Sequence, residues 1–129
     1  MKRDMDLIRR LLIVLEEKPG PELLRVADIS AEGYSAGEIQ YHLNLMFQAG
    51  LVNGEDVRST TSSRLIKVMA FDLTWQGHEF LEAVRDPEIW REAKAGAARA
   101  GTASIEFIWG MAKVLLKNAI RQHTGLDVG

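Results

Sequence analysis

Residues 35–52 read SAGEIQYHLNLMFQAGLV, and this stretch decides the fold of the chain. Ser35 and Glu38 have the spacing of a capping box, in which each side chain satisfies the other residue's free backbone N–H at a helix start. Gly50 is the residue type that most readily adopts the left-handed turn after a helix. Because the apolar pair Leu51-Val52 follows at once, the stretch predicts a capped helix that leads directly into a strand.

The segments on either side predict further elements. Apolar residues at helical spacing over residues 4–18 indicate a first helix with Asp4 as its N-cap. Pro19-Gly20-Pro21 ends that helix, since proline cannot continue it. The mixed stretch 22–29 leaves two alternatives open, an edge strand or an irregular turn. Residues 51–74 predict a β-hairpin, with β-forming residues on both sides of a Ser/Thr-rich tip.

The C-terminal part predicts three helices. Thr74 is placed to cap a helix over 75–85, and Asp86-Pro87 has the cap and first-turn proline of another. Residues 95–101 are small and weakly specified, so we expect that helix to fray into a hinge there. Residues 104–123 predict a long final helix whose apolar residues fall within an arc of roughly 140°. Such a wide apolar surface has to be covered.

Composition places the chain among globular proteins. It has 129 residues, of which 47% are hydrophobic and 26% charged, as is ordinary for such proteins. The expected organisation is one domain over 1–86, a helical extension over 87–123 that packs on the domain or on a second subunit, and a tail over 124–129. The chain has no cysteine, which excludes disulfides and thiolate metal sites and fits a cytoplasmic location. No apolar run approaches the roughly 20 residues that span a bilayer.

Two motifs resemble those of winged-helix regulators. Residues 42–52, HLNLMFQAGLV, resemble the pattern H-L-x-x-L-x-x-A-G-L-V that ends the recognition helix and begins the wing. Residues 73–81, LTWQGHEFL, resemble the L-T-x-x-G-x-x-F-L that follows the wing. The resemblance implies an α+β, mostly helical fold: a winged helix-turn-helix-like core with a reduced middle helix, a β-hairpin wing and a C-terminal helical extension. It also implies DNA as the class of ligand.

The whole chain resembles an uncharacterised bacterial and prophage family, a domain of unknown function. Its members open with MKRDMDLIR, as residues 1–9 do. The further shared elements are Gly33-Tyr34-Ser35, Tyr41-His42-Leu43, Ala49-Gly50-Leu51, residues 73–81 and Ile89-Trp90. This resemblance brings no established activity and no functional residues.

The leading functional hypothesis is a non-enzymatic winged-helix-like binding module that acts in regulation, with weakly bound double-stranded DNA as the ligand that the resemblance implies. The amides of Gln40, Asn44 and Gln48 lie on the outer face of the central helix and are suited to adenine edges. The hairpin offers the cations Arg58, Arg64 and Lys67 for phosphate contacts. The alternative is that both sets are simply solvated. Since the net charge is −2 and the central helix carries no lysine or arginine, tight binding through phosphates is not expected.

A protein-interaction or dimerisation adaptor on the same scaffold is the alternative hypothesis. Tyr41 and Leu45, four residues apart, form an apolar patch on the face where water or DNA is expected. Burying such a pair contributes roughly 2–4 kcal/mol. The final helix, a second copy or a foreign partner would each cover the patch, and simple exposure stays open as well. The proposed interface also includes Trp109, Leu116 and Ile120 on the final helix, through which a homodimer would form.

The chain lacks the patterns of common enzymes. Its three histidines, His42, His78 and His123, do not have the spacing of a helical metal-binding pair. No glycine-rich phosphate loop follows a predicted strand. We therefore expect no catalytic residues, metal, cofactor or small-molecule substrate. His42 lies at the edge of the core face of its helix and is predicted to be a hydrogen-bonded structural residue.

Overall fold

The computed structural model describes residues 1–125 of the chain and has an α+β, mostly helical fold. That part contains five α-helices and one two-stranded antiparallel sheet. The elements in chain order are α1 (Met5–Glu16), a 3-10 helix (Val26–Asp28), α2 (Ala36–Gln48), β1 (Val52–Arg58), β2 (Leu65–Leu73), α3 (Trp75–Val84), α4 (Pro87–Arg99) and α5 (Ile105–Thr124).

The chain divides into two compact units. The first comprises Met1–Glu79 and the second begins at Phe80, so the division falls inside the continuous helix α3. The boundary predicted from the sequence, after residue 86, stays a prediction. Of the predicted tail 124–129, residues 126–129 lie outside the described residues.

Helix α1 begins as the sequence predicts. The Asp4 carboxylate accepts hydrogen bonds from the backbone N–H groups of Asp6 and Leu7, which have no partner within the helix. The apolar residues at helical spacing form one buried stripe. That stripe consists of Met5, Leu7, Ile8, Leu11, Leu12 and Leu15.

Helix α2 confirms the predicted capping box. The Ser35 hydroxyl accepts from the Glu38 backbone N–H, and the Glu38 carboxylate accepts from the Ser35 backbone N–H. Gly50 follows the helix with φ +74°, the left-handed conformation that glycine adopts without a Cβ penalty. Ile39, His42, Leu43 and Met46 are buried, so the core face of α2 is the predicted one.

A hairpin follows α2, also as predicted. Its strands pair in register from Val52 with Leu73 to Arg58 with Leu65, with irregularities after Asn53 and Val57. Only a 3-10 helix and one isolated bridge, between Leu24 and Ala70, lie between α1 and α2 among the described residues. The stretch 22–29 thus combines both alternatives that its sequence left open.

The second unit contains the remainder of α3 together with α4 and α5. Asp86 caps α4 through its side chain, as expected, and Ser104 caps α5 in the same way. The predicted hinge over 95–101 is wrong, because α4 continues to Arg99 and both Gly96 and Ala97 are buried. Its small residues bring α5 close: a Cβ on Gly96 would lie 2.6 Å from Cε of Met111. The residues that look weakly specified in the sequence are therefore the packing surface of α4.

Candidate binding face between α2 and the hairpin

A groove of about 400 Å³ separates the outer face of α2 from β2. Both elements belong to the first unit, and the groove brings together side chains from both sets predicted from the sequence. Its lining residues are Gly37, Gln40, Tyr41, Asn44, Leu45, Gln48, Arg64, Leu65 and Ile66. We refer to it as the α2–β2 groove.

Asn44 uses its side-chain amide to bind the free edge of β2. Its Nδ2 donates to the Ile66 carbonyl oxygen at 3.2 Å, and its Oδ1 accepts from the Val68 backbone N–H at 2.9 Å. In a parallel sheet, one residue of the neighbouring strand would likewise donate to the Ile66 carbonyl and accept from the Val68 N–H. One side chain of α2 thus takes the place of a strand residue and closes an edge that would otherwise be open.

Gln40 continues this contact one turn earlier on α2. Its Nε2 donates to the Val68 carbonyl oxygen at 3.0 Å and to Oδ1 of Asn44 at 3.0 Å. Further along β2, the Ala70 carbonyl oxygen accepts from the Leu24 backbone N–H at 2.8 Å. Two of the three amides predicted to contact base edges therefore bind the protein's own backbone, whereas Gln48 is exposed at the end of α2.

The apolar part of the groove comes from both elements. Tyr41 and Leu45 on α2 are half-buried and line the groove. Ile66, on β2, lines it too and is 55% exposed. The sequence analysis did not select Ile66, although the alternation of Arg64, Ile66 and buried Val68 along the strand is a signal that places Ile66 with the groove. An exposed apolar patch rimmed by polar residues is typical of an interaction surface.

The predicted hairpin cations differ in their surroundings. Arg58 is bound within the hairpin, to Asp56 at 2.5 Å and to the Ser63 carbonyl oxygen at 3.3 Å, and it holds the pKa of the Asp56 carboxyl below its usual range. Arg64 lines the α2–β2 groove. Lys67 lines a second cavity of about 330 Å³ further along β2, which shares Gln40 with the groove. In the part of the chain that the structure describes, the side chains of Arg64 and Lys67 have no ion-pair or hydrogen-bond partner.

A polar cluster holds α2 against the start of α1. Nε2 of His42 accepts from the Asp4 backbone N–H at 2.8 Å, and Nδ1–H of the same ring donates to the Glu38 carbonyl oxygen at 2.7 Å. The Tyr34 hydroxyl donates to the Asp4 carboxylate at 2.8 Å. The His42 ring is 1% exposed, so the prediction of a hydrogen-bonded structural histidine is confirmed.

The Tyr34 hydroxyl has a shifted pKa. Its hydrogen bond to the Asp4 carboxylate, with smaller effects of burial and of the negative charge on Asp4, raises the pKa of Tyr34 to about 12. The neutral phenol is therefore the form that this cluster stabilises.

A second joint connects the end of α2 to the start of α3. The Thr74 hydroxyl donates to the Gly50 carbonyl oxygen at 2.6 Å and accepts from the Gly77 backbone N–H at 3.0 Å. A Cβ on Gly77 would overlap the carbonyl oxygen of Leu51. The motifs at residues 49–51 and 73–77 thus meet in space, and their roles there are structural.

The predicted interface residues of α5 belong to the second unit. Trp109 packs against Phe80 with ring centroids 5.4 Å apart, and the Lys113 ammonium lies 4.7 Å from the Trp109 ring. The indole N–H of Trp109 is buried without an acceptor among the described residues. Leu116 and Ile120 are half-buried. A homodimer through α5, and α5 as the cover of Tyr41 and Leu45, stay predictions.

The described residues offer neither a metal site nor a membrane-spanning helix. Within residues 1–125, no cluster of three or more histidine, aspartate or glutamate side chains is arranged to hold a metal ion. None of the described helices combines the length and the apolar character needed to cross a bilayer. The α2–β2 groove remains the candidate site.

The fold and the groove define a mostly helical α+β protein with a single hairpin and a candidate binding face. Residues 2–103 match the family described as "Hypothetical protein (DUF2513)", and the chain belongs to that family. An uncharacterized protein of Haemophilus influenzae is 35% identical over 94 residues, which are 73% of this chain and 76% of that protein. No solved structure matches this chain. The predicted membership of a family of unknown function is thereby confirmed.

Proposed function

We propose that this chain is a non-enzymatic binding module on a winged-helix-like scaffold, which acts in regulation by binding a partner protein through the α2–β2 groove. The winged-helix assignment is supported by the order of α1, 3-10 helix, α2 and hairpin. A cytoplasmic location and a prophage origin stay predictions from the sequence.

One observation carries the choice of a protein partner. Asn44 and Gln40, the best placed of the expected base-reading amides, are occupied by β2. What the groove leaves exposed includes an apolar part, formed by Ile66 with Tyr41 and Leu45 beside it. Direct readout of bases needs free donors and acceptors on the helix, whereas apolar and aromatic side chains are what protein interfaces bury at their centres.

Weak binding to double-stranded DNA is the second candidate. It is favoured by Arg64 and Lys67, which have no ion-pair partner in the described part of the chain. The hairpin tip also carries exposed hydroxyls at residues 60–63. Glu55 and Asp56 on β1 oppose phosphate binding on the same hairpin. The two candidates therefore predict different ligands for one face of the molecule.

A pair of measurements separates the candidates. The first titrates the full chain into a fluorescent mixed-sequence DNA duplex at low salt and records anisotropy, because counterion release favours DNA binding most strongly there. The second selects binders to the full chain from a random peptide display library. We expect no saturable DNA binding at micromolar protein, and we expect enriched peptides that compete for one site.

A matched pair of variants locates that site. Ile66→Glu places a charge in the groove, and Val114→Glu makes the same change on α5, where Val114 is 57% exposed. We expect Ile66→Glu to abolish binding of the enriched peptides and Val114→Glu to leave it unchanged. Saturable DNA binding that Ile66→Glu removes would move the proposal to DNA. Peptides that bind both variants equally well would show that the groove is not the site.

A further inference from the structure

Two cavities follow one another along β2. The α2–β2 groove lies beside Leu65 and Ile66, and the second cavity lies beside residues 67–69. Gln40 lines both of them, so they are neighbours on one surface of the first unit. A single extended segment of a partner could therefore contact both.

The charged residues that line these two cavities are all cations. The described residues that line them include Arg25, Arg64 and Lys67 and no aspartate or glutamate. Arg25 pairs with Asp28 at 3.1 Å, which leaves Arg64 and Lys67 as the cations without a described partner. The chain as a whole has a net charge of −2, so the lining of the two cavities differs in sign from the chain, with Glu55 and Asp56 on the neighbouring strand β1.

Apolar side chains form the rest of both linings. Tyr41, Leu45 and Ile66 contribute to the groove. Leu23, Val26 and Met69 contribute to the second cavity. A phosphate backbone would satisfy the cations but would leave these apolar surfaces facing charge and water. An occupant that satisfies both features has to carry apolar side chains and anionic groups together.

Building on the proposed function, we propose that the partner presents an acidic segment with apolar residues. Its apolar side chains occupy the two cavities, and its carboxylates face Arg64 and Lys67. Charge complementarity of this kind determines which partner is selected and how fast it associates more than it determines total affinity. The apolar contacts then supply the larger part of the binding free energy.

Two display libraries of one design test the charge of the partner. Both alternate random apolar positions with charged ones, which are Asp or Glu in the acidic library and Lys or Arg in the basic library. The baits are the full wild-type chain, the double variant Arg64→Glu/Lys67→Glu and the control Lys117→Glu, which changes an exposed lysine on α5. We expect the wild type and the control to enrich acidic peptides and the double variant to enrich basic ones.

Affinity measurements on the enriched peptides give the expected magnitude. The double variant should bind an acidic peptide roughly tenfold more weakly than the wild type, as fits two reversed surface pairs. Added salt should weaken the wild-type complex, since exposed charges are screened. Circular dichroism of the three baits should be the same, which shows that charge and not folding has changed.

The outcomes distinguish this inference from the function on which it rests. Peptides that need Ile66 but bind the wild type and the double variant equally would overturn the acidic partner and leave the binding module standing. Enrichment of basic peptides by the wild type would do the same. If neither these libraries nor the random library yields a peptide that depends on Ile66, both proposals fail.

Discussion

The two units of the chain are stabilised internally by different kinds of contact. In the first unit, buried or half-buried side chains bind backbone groups of distant segments: His42 binds Asp4, Asn44 binds β2, and Thr74 binds Gly50. In the second unit, the contacts described between helices include apolar ones, between Phe80 and Trp109 and between Gly96 and Met111. Hydrogen bonds impose distance and direction, whereas apolar side chains adjust.

The family match does not stop at the boundary between the units, because it covers residues 2–103 and so extends into the second unit. The matched residues 2–103 end just before Ser104, the N-cap of α5. They include every residue of the hydrogen-bonded joints in the first unit. His42, Gly50, Thr74 and Gly77 are therefore accounted for by structural contacts, and we look for function in other residues, such as Ile66 and Arg64.

Substitutions at two helical glycines, Gly77 in the first unit and Gly96 in the second, test most directly whether the two units differ in how well they adjust to an added methyl group. In Gly77→Ala, the new methyl group would meet the backbone carbonyl of Leu51, which cannot move without opening the joint at Thr74. We expect the free energy of unfolding to fall by about 3 kcal/mol or more, the upper range for overpacking. Urea denaturation followed by circular dichroism measures this change.

Gly96→Ala is the matched control in the second unit. Its methyl group would overlap only Cε of Met111, the end of a flexible side chain, while Sδ of Met111 and Nη2 of Arg99 lie at ordinary contact distances. Alanine also favours a helix over glycine by about 1 kcal/mol, so the net change should lie within about 1 kcal/mol of zero. If Gly96→Ala destabilised the chain as much as Gly77→Ala, the second unit would be no more adaptable than the first.

Substitutions of Asn44 are expected to reduce the free energy of unfolding by an intermediate amount. Asn44→Asp keeps the shape but replaces the donor to the Ile66 carbonyl with a negative oxygen, and Asn44→Ala leaves the Val68 N–H without its partner. We expect each change to cost about 2 kcal/mol of unfolding free energy. Gln48→Ala, at an exposed position of the same helix, should cost less than about 0.5 kcal/mol.

Amide hydrogen exchange adds a local measurement to the Asn44 test. In Asn44→Ala, the Val68 N–H should exchange faster relative to the other amides of β2. A variant with wild-type stability and unchanged exchange at Val68 would show that α2 does not close the edge of the strand.

Sequence reasoning located the elements better than the contacts between them. The starts of α1, α2, α4 and α5 follow from a local cap, Asp4, Ser35, Asp86 or Ser104, and such signals lie within a few residues of their effect. The helical face that carries Asn44 could also be assigned from periodicity. That β2 passes within hydrogen-bond distance of Asn44 depends on packing between segments distant in the chain, which no local pattern encodes.

Contacts between distant segments also explain why the hinge predicted over residues 95–101 is wrong. Residues 95–101 have small side chains, and small side chains indicate a weak helix when only local propensity is considered. In the folded chain Gly96 and Ala97 are buried, and Met111 of α5 packs over Gly96. Tertiary contact therefore outweighs propensity at this point, and the information needed to see this lies fifteen residues away in α5.

The smallest expected change in stability comes from the hydrogen bond between Tyr34 and Asp4. This contact of the first unit can be tested by its dependence on pH. The pKa of Tyr34 rises from 10.0 to about 12 because its hydroxyl donates to the Asp4 carboxylate. A raised folded-state pKa means that the stabilisation is complete below pH 10 and is lost as the pH rises from 10 toward 12. Tyr34→Phe removes the hydrogen bond at every pH and should cost about 1 kcal/mol.

Absorbance titration measures the pKa of the Tyr34 hydroxyl directly in a Tyr41→Phe variant, because Tyr34 is then the remaining tyrosine. We expect its midpoint near pH 12, and we expect Asp4→Asn to lower the midpoint toward 10. The stability difference between the Tyr41→Phe variant and its Tyr34→Phe derivative should be constant below pH 10 and shrink above it. A midpoint near 10 with Asp4 intact would mean that the carboxylate does not hold the phenol, and the directional contacts of the first unit would then rest on His42, Asn44 and Thr74.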